Sequence, residues 1–342
     1  MDREVQEFIC YSLPGSTEIV TALVDRVEWV NELPSQITCD FIVAPFNKSK
    51  YKSGLLWLNQ VQSDELNSLG LIKSNAQSEI SFASYKDQFD AIIDQLDSGH
   101  FNKIVLSRTQ HFKYDNYNAI DVFTRLANEY PDAFVYFINL QGTGCWMGAS
   151  PELLLNHQNG NWKTVALAGT KEQNSITGSL SWTEKELDEQ QIILDFLSQE
   201  FSSKNIHCSI GKKYVVNAGE VAHIKTDIQF ESDAPLHEIL DVIHPGPAIS
   251  GMPKQKSIDF IDTLEEHDRS YYAGFLGPIG VNVGNTQLFV NLRCMKLTFD
   301  GVELYLGGGI VKGSEVQSEW DETNLKAQTL LKVLMPETNL SA

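Results

Sequence analysis

The sequence predicts an α+β fold with a large antiparallel sheet. Segments with the period of a strand and segments with the period of a helix follow one another irregularly, without the β-α-β alternation of a doubly wound sheet. Near the C-terminal end, apolar strands at 287–299 and 302–306 flank Asp300-Gly301, a dipeptide typical of hairpin turns. Residues 1–80 contain only short apolar runs, which predicts short strands and loops.

Further strands and helices follow from the same patterns. Apolar runs predict strands at 103–108, 134–140, a segment opened by Pro151 and Glu152, 164–170, 209–216 and 221–229. Helical periodicity predicts helices from a Ser84 cap to Gly99, at 119–130, from a Thr183–Glu186 capping box onward, at 235–243 and 257–269, and from a start between Ser314 and Ser318 to before Pro336. Residues 171–180 are polar and rich in Ser and Thr, which predicts an exposed loop.

Length and charge narrow the possible partners. At 342 residues and 42% apolar content, the chain is long enough for one large or two ordinary domains. The formal net charge of −19, from 45 acidic and 26 basic residues, would repel nucleic acid and anionic lipid. We therefore expect neither nucleic acid nor membrane as a partner, and a small anionic substrate would need a locally basic pocket.

The cysteines and the N-terminus indicate the compartment. Five cysteines are scattered without a CxxC pair, which disfavours a zinc site or a disulfide framework and fits a reducing environment. The N-terminal sequence MDREVQEFICYSL carries acidic residues where a signal peptide needs lysine or arginine. These features predict a cytoplasmic protein.

The stretch 302–326 contains the first candidate site. A strand leads into Gly307, Gly308 and Gly309, which predict either a bend or a close approach of the backbone to another group. A helix follows that carries Glu319, Glu322 and Lys326 on one face. Taken alone, such a helix face is typical of a solvated surface, and consecutive glycines are typical of a turn.

A second glutamate pair and three further residues make the stretch more informative. Glu186 and Glu189 repeat the i, i+3 spacing, and two such pairs facing each other would supply the oxygen ligands that Mg²⁺ prefers. Lys103 at the start of a strand is ordinarily exposed and inert, but partial burial would make it a general base, with Glu152 as the matching acid. Arg293, within an apolar strand, needs an anionic partner such as a substrate carboxylate. Together these residues describe a site for a dianionic small molecule.

Eight motifs, in this order along the chain, resemble those of the chorismate-utilising enzymes. They are KIVLSR (103–108), GASPELLL (148–155), LAGT (167–170), KELDE (185–189), HPGPAISGMP (244–253), YYAGFLGPIG (271–280), LFVNLR (288–293) and GGGIVKGSEVQSEWDET (307–323). The likeness is strongest to the isochorismate synthases. It implies large antiparallel sheets flanked by helices, with the active site in a central cleft. The motifs lie within residues 85–335 of a single chorismate-binding domain, 1–342, whose N-terminal part, 1–84, shows no family motif.

The resemblance implies a role for each matching residue. Lys103 matches the general base that activates water to attack C2 of chorismate, and Glu152 matches the acid that protonates the departing C4 hydroxyl. The metal positions are Glu189 and Glu322 as Mg²⁺ ligands, with Glu186 and Glu319 supporting them directly or through water. The substrate-binding positions are Tyr272, Arg293, Lys326, Gly307, Gly308 and Gly309.

Two positions separate activities within the family. Members that attack with ammonia carry glutamine where this chain has Lys103, and aminodeoxychorismate synthases carry a nucleophilic lysine where it has Ala168. The resemblance therefore implies water as the nucleophile and no glutaminase subunit. Gln190 and Gly246 depart from the family, which usually has histidine and threonine there. A salicylate synthase, which goes on to eliminate pyruvate, and a non-catalytic chorismate-binding module remain alternatives.

Overall fold

The computed structural model describes residues 5–114, 118–172, 182–218, 221–280 and 285–335. The predicted polar loop lies outside the described residues from 173 onward, as does Pro336. The strands are β1 (Phe8–Ser12), β2 (Val20–Val30), β3 (Phe41–Ala44), β4 (Ser53–Gln60), β5 (Lys103–Lys113), β6 (Phe134–Leu140), β7 (Gly144–Ser150), β8 (Leu153–Gln158), β9 (Asn161–Glu172), β10 (Cys208–Ile210), β11 (Tyr214–Ala218), β12 (Val221–Glu231), β13 (Gly251–Met252), β14 (Phe275–Pro278), β15 (Asn285–Val290), β16 (Cys294–Thr298) and β17 (Gly301–Val311). The helices are α1 (Phe82–Asp97), α2 (Ala119–Glu129), α3 (Glu184–Ser203), α4 (Leu236–Ile243), α5 (Lys254–Leu264) and α6 (Val316–Leu334), with a short 3₁₀ helix at Ser63–Ser68.

The strands form two arms that meet at β1. All pairings between these strands are antiparallel, and β1 pairs with β6 along one edge and with β2 along the other. From β6 the first arm continues through β7, β16, β17, β5 and β13. From β2 the second arm continues through β4, β3, β14, β15, β8, β9 and β12, whose far edge carries β10 and β11. The α+β prediction with a large antiparallel sheet is confirmed.

Helices bury both faces of the first arm. Phe123 of α2 and Leu330 of α6 pack in one core with Leu304 of β17. A larger core on the other side contains Leu106 of β5 and Phe196 of α3. Because β5 and β17 are covered on both faces, a polar residue on either strand must be paired or face a ligand. None of the described helices has the length and apolar character needed to cross a bilayer.

Of the two alternatives for the glycines, the bend is wrong and the close approach is confirmed. Gly307, Gly308 and Gly309 continue β17, and Gly309 pairs with Val105 of β5. The glycines are needed because neighbouring groups come too close for side chains. A Cβ on Gly307 would lie 2.6 Å from the hydroxyl of Tyr272.

The position of Arg293 also differs from the prediction. The apolar run 287–299 was expected to form strand throughout, but β15 ends at Val290 and β16 begins at Cys294. Arg293 lies between them with a φ of 47°. Here the chain leaves the second arm and enters the first, and the apolar sequence hides this change of direction.

Several helix ends differ in detail, whereas the α3 prediction is confirmed, including its Thr183–Glu186 capping box. Ser81, rather than Ser84, caps α1. The last helix begins between Ser314 and Ser318 as predicted, but its N-terminus has no side-chain cap. The fifth helix is shifted toward the N-terminus relative to the prediction and ends at Leu264. It stops there because the next side chain, Glu265, turns inward to bind Ser107 and Arg269.

Candidate active site

A cavity of about 90 Å³ lies where the two arms approach each other. Most of the predicted site residues line it: Glu152, Glu189, Tyr272, Arg293, Gly307, Gly308, Gly309, Glu322 and Lys326. The remaining three, Lys103, Glu186 and Glu319, are not wall residues. The cavity is smaller than a typical ligand pocket of roughly 300–1,000 Å³, and lysine–glutamate pairs occupy part of its wall.

Glu152 lies on the second arm, directly before β8. Its main chain is fixed, because the Glu152 N–H donates to Ser150 Oγ and its carbonyl accepts from Val290 N at 3.0 Å. Burial raises the pKa of the Glu152 carboxyl to about 7, although the charges of Lys103 and Lys326 act in the opposite direction. A carboxyl group with a pKa near neutrality can carry and release a proton at physiological pH, as a general acid must.

Lys103 opens β5 on the first arm and is only 1% exposed. Its Nζ donates to Glu189 Oε1 at 2.7 Å, and Gly169 N donates to Glu189 Oε2 at 3.2 Å. Burial alone would raise the pKa of Glu189, but the Lys103 ammonium, aided by Lys326 and the Gly169 N–H, lowers it below its usual value. The Lys103–Glu189 pair therefore forms one charged corner of the site, with Glu189 in the cavity wall and Lys103 next to it.

The glycines of β17 lie between this corner and the glutamates of α6. A Cβ on Gly309 would lie 2.6 Å from both Lys103 Cε and Glu189 Oε1, so a side chain would separate or displace the pair. A Cβ on Gly308 would instead face Glu319 and Glu322 at 3.6 and 3.8 Å, which is ordinary contact. The backbone at Gly309 is thus the tightest point of the wall.

Arg293 and Lys326 make the cavity locally basic. The Arg293 Nη1 donates to Thr329 Oγ1 at 2.9 Å and to the carbonyl of Lys326 at 3.4 Å. Arg293 is 8% exposed, and burial lowers its pKa to about 10 although the charge of Glu322 acts in the opposite direction. Among the described residues Arg293 forms no ion pair. A buried cation without a counter-ion costs several kcal/mol, roughly, unless an anion binds beside it. The position thus favours an anionic ligand.

Comparisons with known proteins agree with this geometry. The sequence model of a family described as chorismate binding enzymes matches residues 37–335. The chain belongs to this family. Isochorismate synthase EntC of Escherichia coli K12 is 29% identical over 247 residues, which are 68% of this chain and 62% of EntC. A Pseudomonas aeruginosa protein named salicylate biosynthesis isochorismate synthase is 31% identical over 255 residues, 71% of this chain and 52% of that relative.

The chain thus covers less than two thirds of the length of these two curated relatives. The fold is shared more fully. The solved structure of DhbC from Bacillus anthracis superposes with a TM-score of 0.81 at 21% sequence identity, over 97% of each chain.

The glutamates predicted to bind Mg²⁺ provide donor groups that fit that ion. Glu189 and Glu322 line the cavity, and buried Glu319 lies behind Gly308 next to Glu322. Burial and the neighbouring charge of Glu322 raise the pKa of Glu319, as expected where two carboxylates share a buried space. Donor sets made of carboxylate oxygens suit Mg²⁺.

Lysines neutralise these carboxylates in the present arrangement. Lys326 Nζ lies 2.6 Å from Glu322 Oε1, and Lys185 Nζ lies 2.5 Å from Glu319 Oε1. Within the described ranges, no three carboxylate, histidine or cysteine side chains converge closely enough to bind a metal ion together. A divalent cation would therefore have to replace ammonium groups as the partner of these glutamates.

Glu186 is oriented differently from the other three glutamates. Its carboxylate accepts hydrogen bonds from the backbone N, at 2.6 Å, and the hydroxyl of Thr183, which closes the N-terminal cap of α3. Lys171 Nζ lies 3.9 Å away. Because the cap uses one carboxylate oxygen, any support that Glu186 gives to a metal would come from its other oxygen.

His223 on β12 lines the cavity and was missed by the sequence reasoning. Its Nδ1 lies 2.9 Å from the carbonyl of Gly169, so this nitrogen carries the proton. Burial, reinforced by the charges of Arg293 and Lys326, lowers the pKa of His223 to about 3, and the ring is neutral near pH 7. A single histidine inside the apolar run of β12 was the available signal.

The two departures from the family pattern do not alter the wall directly. Gln190 is fully buried, and its Nε2 donates to Thr226 Oγ1 at 2.7 Å. Gly246 is not a wall residue, and a Cβ there would lie 3.1 Å from the carbonyl of Ile243. Ala168, in contrast, does line the cavity, as expected for a position that distinguishes activities.

Proposed function

We propose that the chain is a Mg²⁺-dependent isochorismate synthase, which converts chorismate to isochorismate. One observation carries the proposal: a single cavity is lined by Glu152, a carboxyl group with a pKa near 7, and by Arg293, a buried cation without an ion-pair partner among the described residues. The first group suits proton donation and the second suits a substrate carboxylate. The names of the relatives support the choice of reaction.

In the proposed mechanism, the two arms supply opposite proton-transfer groups. Lys103 of the first arm, as a neutral amine, accepts a proton from water, whose oxygen then attacks C2 of chorismate. The ring double bonds shift, and the C4 hydroxyl leaves with a proton from Glu152 of the second arm. One water is added and one is released, so the reaction is an isomerisation.

Lys103 and Glu189 must separate for this chemistry. Because Lys103 Nζ donates to Glu189 at 2.7 Å, its nitrogen can accept a proton from water only after Glu189 turns to another partner and the ammonium has lost a proton. Mg²⁺, when bound, would supply a Lewis acid that orients and neutralises a substrate carboxylate. We propose that Glu189 and Glu322 hold it, with Glu186 and Glu319 in support.

The remaining parts of the proposal concern partners and compartment. Arg293 and Lys326 bind the substrate carboxylates and offset the overall negative charge locally. Water as the nucleophile requires no glutaminase subunit. A cytoplasmic location is supported by five cysteines that form no disulfide.

The test is to incubate the purified protein with chorismate, with Mg²⁺ or with EDTA, and to separate the products by chromatography. Isochorismate formation that depends on Mg²⁺ is the expected result. Salicylate together with pyruvate would replace the proposal with a salicylate synthase. Unchanged chorismate, with binding detected by calorimetry, would indicate a non-catalytic binding module.

A further inference from the structure

Gln77 lies before the first of the eight motifs, although within the residues that the family model matches, and its hydrogen bonds lead to the cavity wall. Its Nε2 donates to the hydroxyl oxygen of Tyr305 at 2.9 Å and to the carbonyl of Asp268 at 3.0 Å. Its Oε1 accepts from the backbone N of Asp268 at 2.7 Å. Its own backbone N donates to Glu303 Oε1 at 2.7 Å. One residue therefore binds both β17 and the turn after α5.

The network fixes the ring of Tyr305. Its hydroxyl accepts from Gln77 and donates to Glu303 Oε2 at 2.8 Å, so both hydrogen-bonding functions are used. Glu303 is itself buried, and Gln77 and Tyr305 are its hydrogen-bond donors. A hydroxyl held on both sides in a buried site leaves the ring little freedom to rotate.

Tyr305 in turn supports the predicted substrate residue Tyr272. Both rings line the cavity and stack with their centroids 5.6 Å apart and their planes 27° apart. The backbone of Tyr272 is anchored to the same turn, since its N–H donates to the carbonyl of Arg269 at 2.7 Å. Gln77 is thus connected to both tyrosines: directly to Tyr305 through its hydroxyl, and indirectly to Tyr272 through the turn that begins at Asp268.

We infer that Gln77 is a positioning residue for substrate binding, which acts by holding Tyr305 and the 268–272 turn against the cavity. This inference rests on the proposed function for its kinetic test. It gives residues 1–84 a part in the site that no sequence motif indicates. Gln77 itself does not line the cavity, so it acts only through these partners.

The chain offers a matched control. Tyr51, also in the N-terminal part, donates from its hydroxyl to Asp268 Oδ2 at 2.5 Å and so holds the same turn without contacting Tyr305. Gln77→Ala and Tyr51→Phe should both lower the melting temperature. Only Gln77→Ala should raise KM for chorismate, by about tenfold with kcat changed less than about threefold, because the lost hydrogen bonds support binding rather than the chemical step.

The variant Tyr305→Phe removes the hydrogen bond between Gln77 and Tyr305 from the tyrosine side. It keeps the aromatic ring and the hydrogen bonds of Gln77 to the 268–272 turn. It should raise KM by a similar factor, and the double variant with Gln77→Ala should be no worse than the more impaired single variant, because both remove the same link. Equal KM values for wild type and Gln77→Ala, or fully additive effects in the double variant, would overturn the inference.

An activity-independent measurement separates the inference from the proposed function. Hydrogen–deuterium exchange should increase in residues 268–272 and 303–307 of Gln77→Ala, but only in 268–272 of Tyr51→Phe. If the wild-type protein makes no isochorismate, the proposed function fails, while this exchange pattern still tests the positioning role. Unchanged exchange at 303–307 in Gln77→Ala would refute the role whatever the activity.

Discussion

The two sides of the cavity shift the pKa of a carboxyl group in opposite directions. The side of the proposed acid, Glu152, is called the acid side, and the side of the proposed metal ligands, with Glu189, is called the metal side. Glu152 on the second arm forms no ion pair among the described residues, and its burial raises its pKa to about 7. Glu189 is equally part of the wall, but the Lys103 ammonium at 2.7 Å holds the pKa of Glu189 below its usual value. The same residue type can thus donate a proton in one place and remain an anion in the other. The difference lies in whether a lysine ammonium is hydrogen-bonded to the carboxylate.

The largest expected effects come from removing either proton-transfer group. Glu152→Gln and Lys103→Ala should each lower kcat by about 10²- to 10⁴-fold, because a positioned acid or base contributes about that factor. Steady-state kinetics on folded variants, checked by circular dichroism, provide the measurement. Near-normal turnover in either variant would remove that residue from the mechanism.

The free energy of unfolding should distinguish Lys103→Ala from Glu152→Gln. Lys103→Ala leaves the partly buried Glu189 without its counter-ion and should destabilise the fold by about 3 kcal/mol, whereas Glu152→Gln breaks no ion pair. Urea unfolding measures the difference. The double variant Lys103→Ala/Glu189→Gln should regain stability without regaining activity, and a failure to regain stability would mean that the pair is not the cause.

Gly309→Ala should disturb the charged corner without changing a charged group. The new Cβ would lie 2.6 Å from atoms of both Lys103 and Glu189, and a displacement of about 1 Å can cost about 10²-fold in rate. Gly308→Ala is the matched control, because its nearest atoms are at 3.6 and 3.8 Å and its effect should be much smaller. Similar kcat values for the two variants would contradict this reading of the wall.

The acid side should impose a pH limit on the reaction. Since Glu152 must be protonated to act, kcat/KM should fall above about pH 7, by about tenfold per pH unit, and the limb should be absent from the residual activity of Glu152→Gln. The raised pKa of Glu152 also makes the free energy of unfolding depend on pH. The folded-state pKa of Glu152 lies above its usual value of 4.5, so the folded protein binds the proton more tightly. Its contribution to stability is therefore complete below about pH 4.5 and is lost as the pH rises to about 7.

The smallest expected effect concerns the metal side. Lys185→Met removes the ammonium beside Glu319, so calorimetric titration without substrate should show Mg²⁺ binding about threefold tighter. The metal-free variant should also melt at a lower temperature. Lys86→Met, which removes an exposed pair with Asp90 on α1, should change neither the affinity for Mg²⁺ nor the melting temperature appreciably. Weaker Mg²⁺ binding in Lys185→Met would show that the lysine supports the metal site instead of competing for it.

The sequence predicted local features well where the signal was local. The α3 capping box and the Asp300-Gly301 hairpin depend on neighbouring residues, and both are confirmed. The glycine bend failed because the reason for those glycines is contact with Tyr272 and Lys103, which are distant in sequence. Motif resemblance placed most of the site residues on one wall, since it carries information about such distant contacts.

Side-chain contacts between residues distant in sequence could not be predicted, because only the folded chain brings such residues together. Nothing near Lys185 in sequence indicates that it meets Glu319, and nothing near Gln77 indicates that it meets Tyr305. Arg293 was expected inside a strand, because an apolar run does not reveal where the chain passes from one arm to the other. Pairings of this kind depend on topology rather than on residue pattern.

The five-residue strand β1 has a consequence for how the chain can be shortened. It is the seam between the two arms and is hydrogen-bonded along both edges. A chain trimmed to its motif-bearing part would lose β1 together with β2, β3 and β4. It would expose the open edges of β6 and β14, and unpaired edges recruit strands from other molecules. Such a fragment would keep every proposed catalytic group and still be expected to self-associate, so loss of activity in it would report aggregation rather than chemistry.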